Sequence, residues 1–262
     1  MTYQTILLSI EQGVARITLN RPEKLNSFNT TMHTEVRDAL DRVTKEAARV
    51  LILTGAGRGF CAGQDLNDRT IAANGQPPDL GASIERFYKP LVLALRNLPM
   101  PVIGAVNGIA AGAGANIALA CDLVIAARSA SFVQSFSKIG LVPDSGGTWF
   151  LPRLVGNARA MGLALLAEKL PAEQAAQWGL IWRCVDDSEF AQAIDLLAAQ
   201  LASAPTTALA LAKRAIYESS GRDLEGQLNQ ERDFQRELGG THDYVEGVAA
   251  FVEKRTPMFT GR

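Results

Sequence analysis

Histidine and cysteine are scarce in this 262-residue chain, neither sign of charge dominates, and no run is long and strongly apolar. The two histidines, His33 and His242, stand far apart, with neither metal-ligand spacing nor a serine nucleophile's setting around them. Both read as surface or helix residues. Three cysteines, Cys61, Cys121 and Cys184, are odd in number, lie in apolar runs and make no Cys-x-x-Cys pair. No zinc site is expected from them, and they fit the reduced, buried thiols of a cytoplasmic protein. Lysine plus arginine is 26 against 27 acidic residues, so the basic excess of a nucleic-acid partner is missing. The opening Met-Thr-Tyr-Gln-Thr lacks the basic-then-apolar pattern of a secretory leader. Residues 101–127 carry Asp122 as their one charge, yet two asparagines, four glycines and many alanines keep the run weakly hydrophobic. It reads as buried core, and no membrane association is expected.

What is present is enough apolar material, 47% of residues, to bury a large core. Ile6-Leu-Leu-Ser-Ile10 and Val14-Ala-Arg-Ile-Thr-Leu19 alternate around Gly13 as a hairpin would. Thr31 to Ala48 has helical spacing through Met32, Val36, Ala39, Leu40 and Val43. Leu51–Leu53, Val102–Val106 and Leu123–Ala126 are short continuous apolar runs, as in strands buried on both faces. Helical patterns alternate with them, which predicts an α/β fold. Residues 70–82 read as a loop able to serve as a lid. Beyond Ala158 helices dominate, with one strand near Ile181–Val185. The expected division is a core over 1–200 and a helical region over 201–262.

Two stretches poor in side chains follow strand-like runs: Phe60-Cys-Ala-Gly-Gln-Asp-Leu66 and Asn107-Gly-Ile-Ala-Ala-Gly-Ala-Gly-Ala-Asn-Ile117. Small residues at such junctions let a ligand approach the backbone and leave N–H groups free to donate. They also pack tightly with no ligand at all, so packing alone remains open for either loop. Further on, Gly140-Leu-Val-Pro-Asp144-Ser-Gly-Gly147 sets one carboxylate in a turn. Asp144 is either an acid/base group beside apolar Leu141, Val142 and Trp149, or a cap for the helix that follows.

These loops, with Asn20-Arg-Pro-Glu-Lys-Leu-Asn26, Ala172-Glu-Gln-Ala-Ala-Gln-Trp-Gly-Leu180 and Glu246-Gly-Val-Ala-Ala-Phe-Val-Glu-Lys-Arg255, resemble the crotonase (enoyl-CoA hydratase/isomerase) superfamily over nearly the whole chain. The resemblance implies a crotonase-like spiral of ββα units with a C-terminal helical trimerisation region, assembled as a homotrimer or homohexamer. It implies an acyl-CoA thioester substrate whose carbonyl is held by two backbone N–H groups. Mapped here, these are Ala62 and Ala113, with Asp144 as the acid/base. Cys61, Gly63, Gln64, Asp65 and Leu66 on the first loop, Gly112, Gly114 and Asn116 on the second, and Phe136 are the expected substrate neighbours. Lys24, Phe251 and Lys254 are candidates for the nucleotide end of coenzyme A. No separate cofactor or metal is implied, because coenzyme A is part of the substrate.

Hydratases of the superfamily use two glutamates, and the matching positions here hold Asn116 and Phe136, neither able to transfer a proton at neutral pH. An isomerase with one carboxylate is therefore expected. The segments around residues 60–68, 139–149 and 158–166 look most like members that convert an aromatic ring epoxide of a CoA thioester to an oxepin. A Δ3-to-Δ2 double-bond shift is the runner-up, followed by hydratase-like chemistry. Asp65 reads as a helix cap in preference to a pocket group, and Cys61 as a packing residue. Three other classes compete with this reading. A nicotinamide enzyme lacks the third glycine, Phe60 and Ile117 standing where it is required. A non-catalytic assembly protein and an enzyme using Asp144 as a nucleophile stay open.

Overall fold

Ile6–Glu11 (β1) and Val14–Leu19 (β2) pair antiparallel in a computed structural model that describes residues 2–68 and 79–262. Between them Gln12 and Gly13 both have positive φ, 51° and 79°, as a two-residue turn matched to strand twist requires. A helix, Thr30–Lys45 (α1), follows, its first turn capped by the Asn29 side chain on Met32 N–H. It buries Met32, Val36, Ala39, Leu40 and Val43. It stops short of the expected Ala48 because Ala47 turns left-handed at φ 53°.

From there the strands alternate between two sheets, except that Ser131–Val133 and Lys169–Pro171 both join the second. Val50–Gly55 (β3), Val102–Val106 (β5), Leu123–Ala127 (β7) and Arg183–Val185 (β10) extend the hairpin into a six-stranded sheet of order β1-β2-β3-β5-β7-β10. Gly59–Cys61 (β4), Ile109–Ala111 (β6), Ser131–Val133 (β8) and Lys169–Pro171 (β9) make a second sheet of order β4-β6-β8-β9. Apart from the hairpin and the β8–β9 pair, all neighbours are parallel. Helices close each unit: Leu80–Ser83 (α2) and Lys89–Asn97 (α3), Ala113–Leu119 (α4), Gly147–Leu166 (α5), and Ala172–Gln177 (α6). This is the expected α/β spiral of ββα units.

The continuous apolar runs have a direct cause. Val50, Ile52, Ile103, Ala105 and Ile125 face one side, under Ile194, Ala198 and Ala202 of the helix Phe190–Ala202 (α7). Leu51, Leu53, Val102, Val106 and Ala126 face the other, larger core. Three further helices complete the chain: Thr206–Ser219 (α8), Leu224–Leu238 (α9) and His242–Glu253 (α10). The Lys213 ammonium of α8 pairs with Asp122 at 2.9 Å and Tyr217 donates to the same carboxylate, tying this region to the start of β7. Among the described residues, no single helix is long and apolar enough to cross a membrane.

Other expectations need adjustment. Residues 70–78 of the expected lid lie outside the described residues, and 80–82 are helical, with Asp79 capping Ala82 N–H. β9 has no strand-like run in the sequence. Of the two readings left open for His33, surface or helix, the structure shows a helix residue. It is buried at the edge of the apolar face of α1, against the rings of Phe28, Phe87 and Tyr88 at 4.5–4.9 Å. Cys61 and Cys121 are buried free thiols, while Cys184 is half-buried.

Candidate active site

β4, β6 and β8 are parallel neighbours, so the segments leaving their C-terminal ends emerge side by side. That places residues 62–68, 112–119 and 134–139 together, as strand ends in open parallel sheets do. The first two meet backbone to backbone. A Cβ at Gly63, where φ is 91°, would lie 3.0 Å from Ala111 O and 3.3 Å from Ala113 N. One at Gly114 would overlap Cys61 O. Gly112 adopts φ 53°, donates its N–H to Val133 O at 2.8 Å, and sits under the Phe136 ring. Only glycine makes these approaches without strain.

The donors left over are partly those expected. Ala113 is the first residue of α4, and no acceptor among the described residues takes its N–H. Ala62 is a correction: its N–H donates to Leu25 O at 2.9 Å and has no proton to offer a ligand. Residues 62–65 run beside 25–28 like a short parallel strand, with Phe28 N–H on Gly63 O at 2.7 Å and Asp65 N–H on Phe28 O at 2.8 Å. The amides of Ala62 and Asp65 are thereby consumed. The Gly63 N–H reaches the Cys61 sulfur at 3.4 Å, and among the described residues the Gln64 N–H has no acceptor. Beside the Gly63 contact, the amide with no acceptor among the described residues is therefore that of Gln64 and not that of Ala62.

Gln64 is held from its side chain as well, since Tyr88 Oη donates to Gln64 Oε1 at 2.8 Å. Asp65 is engaged in structure. Its Oδ2 meets the Arg21 guanidinium at 2.8 Å and its Oδ1 accepts Asn67 N–H at 3.1 Å. Burial would raise this carboxyl, but Arg21 and the Asn67 amide outweigh it and hold it below the usual carboxylate range. Cys61 has no exposed surface, and burial pushes its thiol up to about 12, which suits packing and excludes direct contact with a substrate. Leu66 begins a short turn and is exposed.

Asp144 is half-buried in the turn before α5, shaped by positive φ at Ser145 (51°) and Gly146 (87°). Ser145 Oγ donates to Asp144 Oδ1 at 2.9 Å. α5 has Gly146 at its N-cap, two residues after Asp144. Leu141 and Trp149 are partly open and Val142 is 76% exposed, so the chain alone gives Asp144 less apolar cover than expected. Asn116 was expected at the substrate. It is instead fully buried, with Nδ2 on Asp144 O and Oδ1 on Gln134 Nε2, both at 2.8 Å. Phe136 is buried beside Gly112.

Lys24 is exposed, one residue before the Leu25 carbonyl that receives the Ala62 N–H, so it flanks the first loop. Phe251 and Lys254 lie elsewhere, at the end of α10. Phe251 is 85% exposed and borders a cavity of about 450 Å³ shared with Pro205, Tyr244 and Phe259. Among the described residues no cluster of three His, Cys, Asp or Glu side chains can hold a metal ion. Sequence reasoning missed Arg21, Tyr88 and Gln134, because each acts through a partner remote in the chain.

Residues 9–262 match the enoyl-CoA hydratase/isomerase family. The chain is 58% identical to the 1,2-epoxyphenylacetyl-CoA isomerase of Escherichia coli (strain K12), over 98% of each chain. It is 52% identical to a protein of Rhodobacter capsulatus named "Probable enoyl-CoA hydratase", over the full length of both. A solved enoyl-CoA hydratase structure from Bacillus anthracis superimposes with a TM-score of 0.92 at 36% identity, covering 99% of this chain and 100% of that one.

Proposed function

The chain belongs to the enoyl-CoA hydratase/isomerase family, and on that premise we propose that it isomerises ring-1,2-epoxyphenylacetyl-CoA to the oxepin-CoA, with Asp144 as the single acid/base. The observation that carries this reading is the backbone contact between two loops whose Gln64 and Ala113 amides have no acceptor among the described residues, with one carboxylate on the turn hydrogen-bonded to α4. The substrate's identity rests on the 58% identity with the isomerase from E. coli.

A thioester carbonyl drains charge from the adjoining carbon. Asp144 takes the α proton, and the electron pair moves toward the thioester oxygen as an enolate. The two N–H groups receive that oxygen, each lowering the barrier by roughly 3–4 kcal/mol on the scale of single-donor losses elsewhere. The bond between the two epoxide carbons breaks, which widens the six-membered ring to a seven-membered one with the oxygen inside it, and protonated Asp144 returns its proton to the ring carbon γ to the thioester carbonyl as the enolate electrons flow back. No atom is gained or lost. Two glutamates that would activate water are missing at Asn116 and Phe136, which supports isomerisation over hydration. Δ3-to-Δ2 shifting needs the same apparatus and stands as the second reading.

Coenzyme A enters as part of the substrate, with Lys24, Gly63 and Gly112 beside its path and no further cofactor. The apolar side chains that α10 leaves exposed, Tyr244, Val245, Val248, Phe251 and Val252, support self-association, which we read as a homotrimer or homohexamer. In such an assembly Phe251 and Lys254 would serve a neighbouring subunit's nucleotide. The test is an isomerisation assay with ring-epoxide and Δ3-enoyl thioesters on the natural protein and Asp144→Asn. Binding of the CoA ester should persist while turnover falls by a factor on the order of 100 or more. Unchanged turnover overturns the role of Asp144.

A further inference from the structure

Three segments that the chain keeps far apart are joined by two buried amides. Gln134 leaves the end of β8, Asn116 stands one turn inside α4, and Asp144 lies before α5. Gln134 Nε2 donates to Asn116 Oδ1 at 2.8 Å, and Asn116 Nδ2 donates to the Asp144 carbonyl at 2.8 Å, which Gly147 N–H also reaches at 2.8 Å. The direction of this chain is set at its far end. A carbonyl only accepts, so Asn116 must turn its NH2 toward Asp144 and its oxygen toward Gln134, which must answer with its own NH2. Reversing either amide would set like groups face to face.

Two features separate this pair from ordinary packing. Gln134 is 3% exposed, and its Oε1 has no partner among the described residues. A buried acceptor left unmade is a burden that Leu or Met would avoid, so the donor end of Gln134 is what the site retains. The grip also falls on the main chain of Asp144, and not on the carboxylate, which accepts from Ser145 Oγ. Donors aimed at a carboxylate stabilise its charged form, whereas a bond to the neighbouring carbonyl fixes its location without that bias.

We propose that Gln134 and Asn116 are positioning residues, a two-amide relay that sets where Asp144 stands relative to the Ala113 N–H at the head of α4. The inference rests on Asp144 being the acid/base. Because Asn116 and Ala113 share the first turn of one helix, the relay measures the acid's place from the same rigid element that carries an oxyanion donor. A shift of about 1 Å between such groups is enough to lose two orders of magnitude in rate.

Two substitutions at Gln134 test the relay, with kcat, KM and thermal melting followed across pH. Gln134→Leu removes the donor and should lower kcat by roughly 10-fold or more, with KM within a few-fold of the natural value. Gln134→Glu supplies a donor only while protonated. Its activity should approach the natural level in acid and fall as pH rises through the introduced carboxyl's burial-raised pKa, because the anion would pull the Asn116 NH2 away from Asp144. A filler role would change melting without this new pH limb. Natural kcat for Gln134→Glu at every pH, while Asp144→Asn is inactive, overturns the relay. Full turnover by Asp144→Asn instead overturns the underlying reading. If Gln134→Leu does not fold, the Gln134→Glu profile decides alone.

Discussion

The Tyr88 hydroxyl donates to Gln64 Oε1 at 2.8 Å and so fixes a residue of the first loop whose main-chain N–H has no acceptor among the described residues. Tyr88 closes a π-helical turn, Ile84–Tyr88, and is fully buried, with its ring edge-on to His33 at 4.5 Å. Such turns are rare and frequently border functional sites. Phe28 grips the backbone on either side of Gln64 while Tyr88 grips its side chain, so the amide between them has little freedom to turn.

Removing that hydroxyl keeps the ring and loses the bond. Tyr88→Phe should lower kcat several-fold with KM nearly unchanged, and stability should fall by about 1 kcal/mol. Steady-state kinetics beside urea melts check this. A stability loss with natural kcat would make the bond purely structural.

Close backbone approach predicts a sharp contrast between two glycines. Gly114→Ala forces a methyl against Cys61 O, so the loops must separate, with an expected loss of about 1–3 kcal/mol and a collapse of turnover. Gly162→Ala, inside α5 with nothing within 4 Å of the added carbon, should leave turnover alone and gain about 0.5–1 kcal/mol. Equal behaviour of the two variants would count against the tight junction.

Asp65 predicts an acid-sensitive first loop. Burial opposes its ionisation, but the Arg21 guanidinium and Asn67 N–H hold its folded carboxyl below the unfolded value. The folded chain then binds this proton less readily than the unfolded chain. Its contribution is present above an unfolded pKa of about 4 and lost as pH falls through the lowered folded value. Asp65→Asn should therefore shrink the difference in stability between neutral and acidic solution. Arg21→Ala, which strands a buried carboxylate, should cost on the order of 3 kcal/mol at neutral pH. Denaturant melts at several pH values measure both, and an unaltered acid limb in Asp65→Asn would refute the assignment.

Local pattern was enough for the parts of the fold whose burial is repetitive. β3, β5 and β7 are legible as apolar runs because both faces are covered, one by α7 and one by the main core. α1 is legible from its 3.6-residue stripe, and His33, three residues before Val36 and seven before Leu40 on that stripe, was open to the same reading. β9, three residues long, buries only Leu170 and offers no period to detect.

The sequence by itself determined the alternation of strand and helix, the two glycine-rich junctions, and the one acid on the Pro-Asp turn, since each depends on residues adjacent in the chain. The tertiary structure decided which amides are spent. Whether Ala62 or Gln64 keeps its N–H depends on the register of residues 62–65 against 25–28, and no local property of either residue encodes a register with a distant strand. The same holds for Asn116, whose amide became a brace on Asp144 only because parallel strands carry their ends to one edge of a sheet.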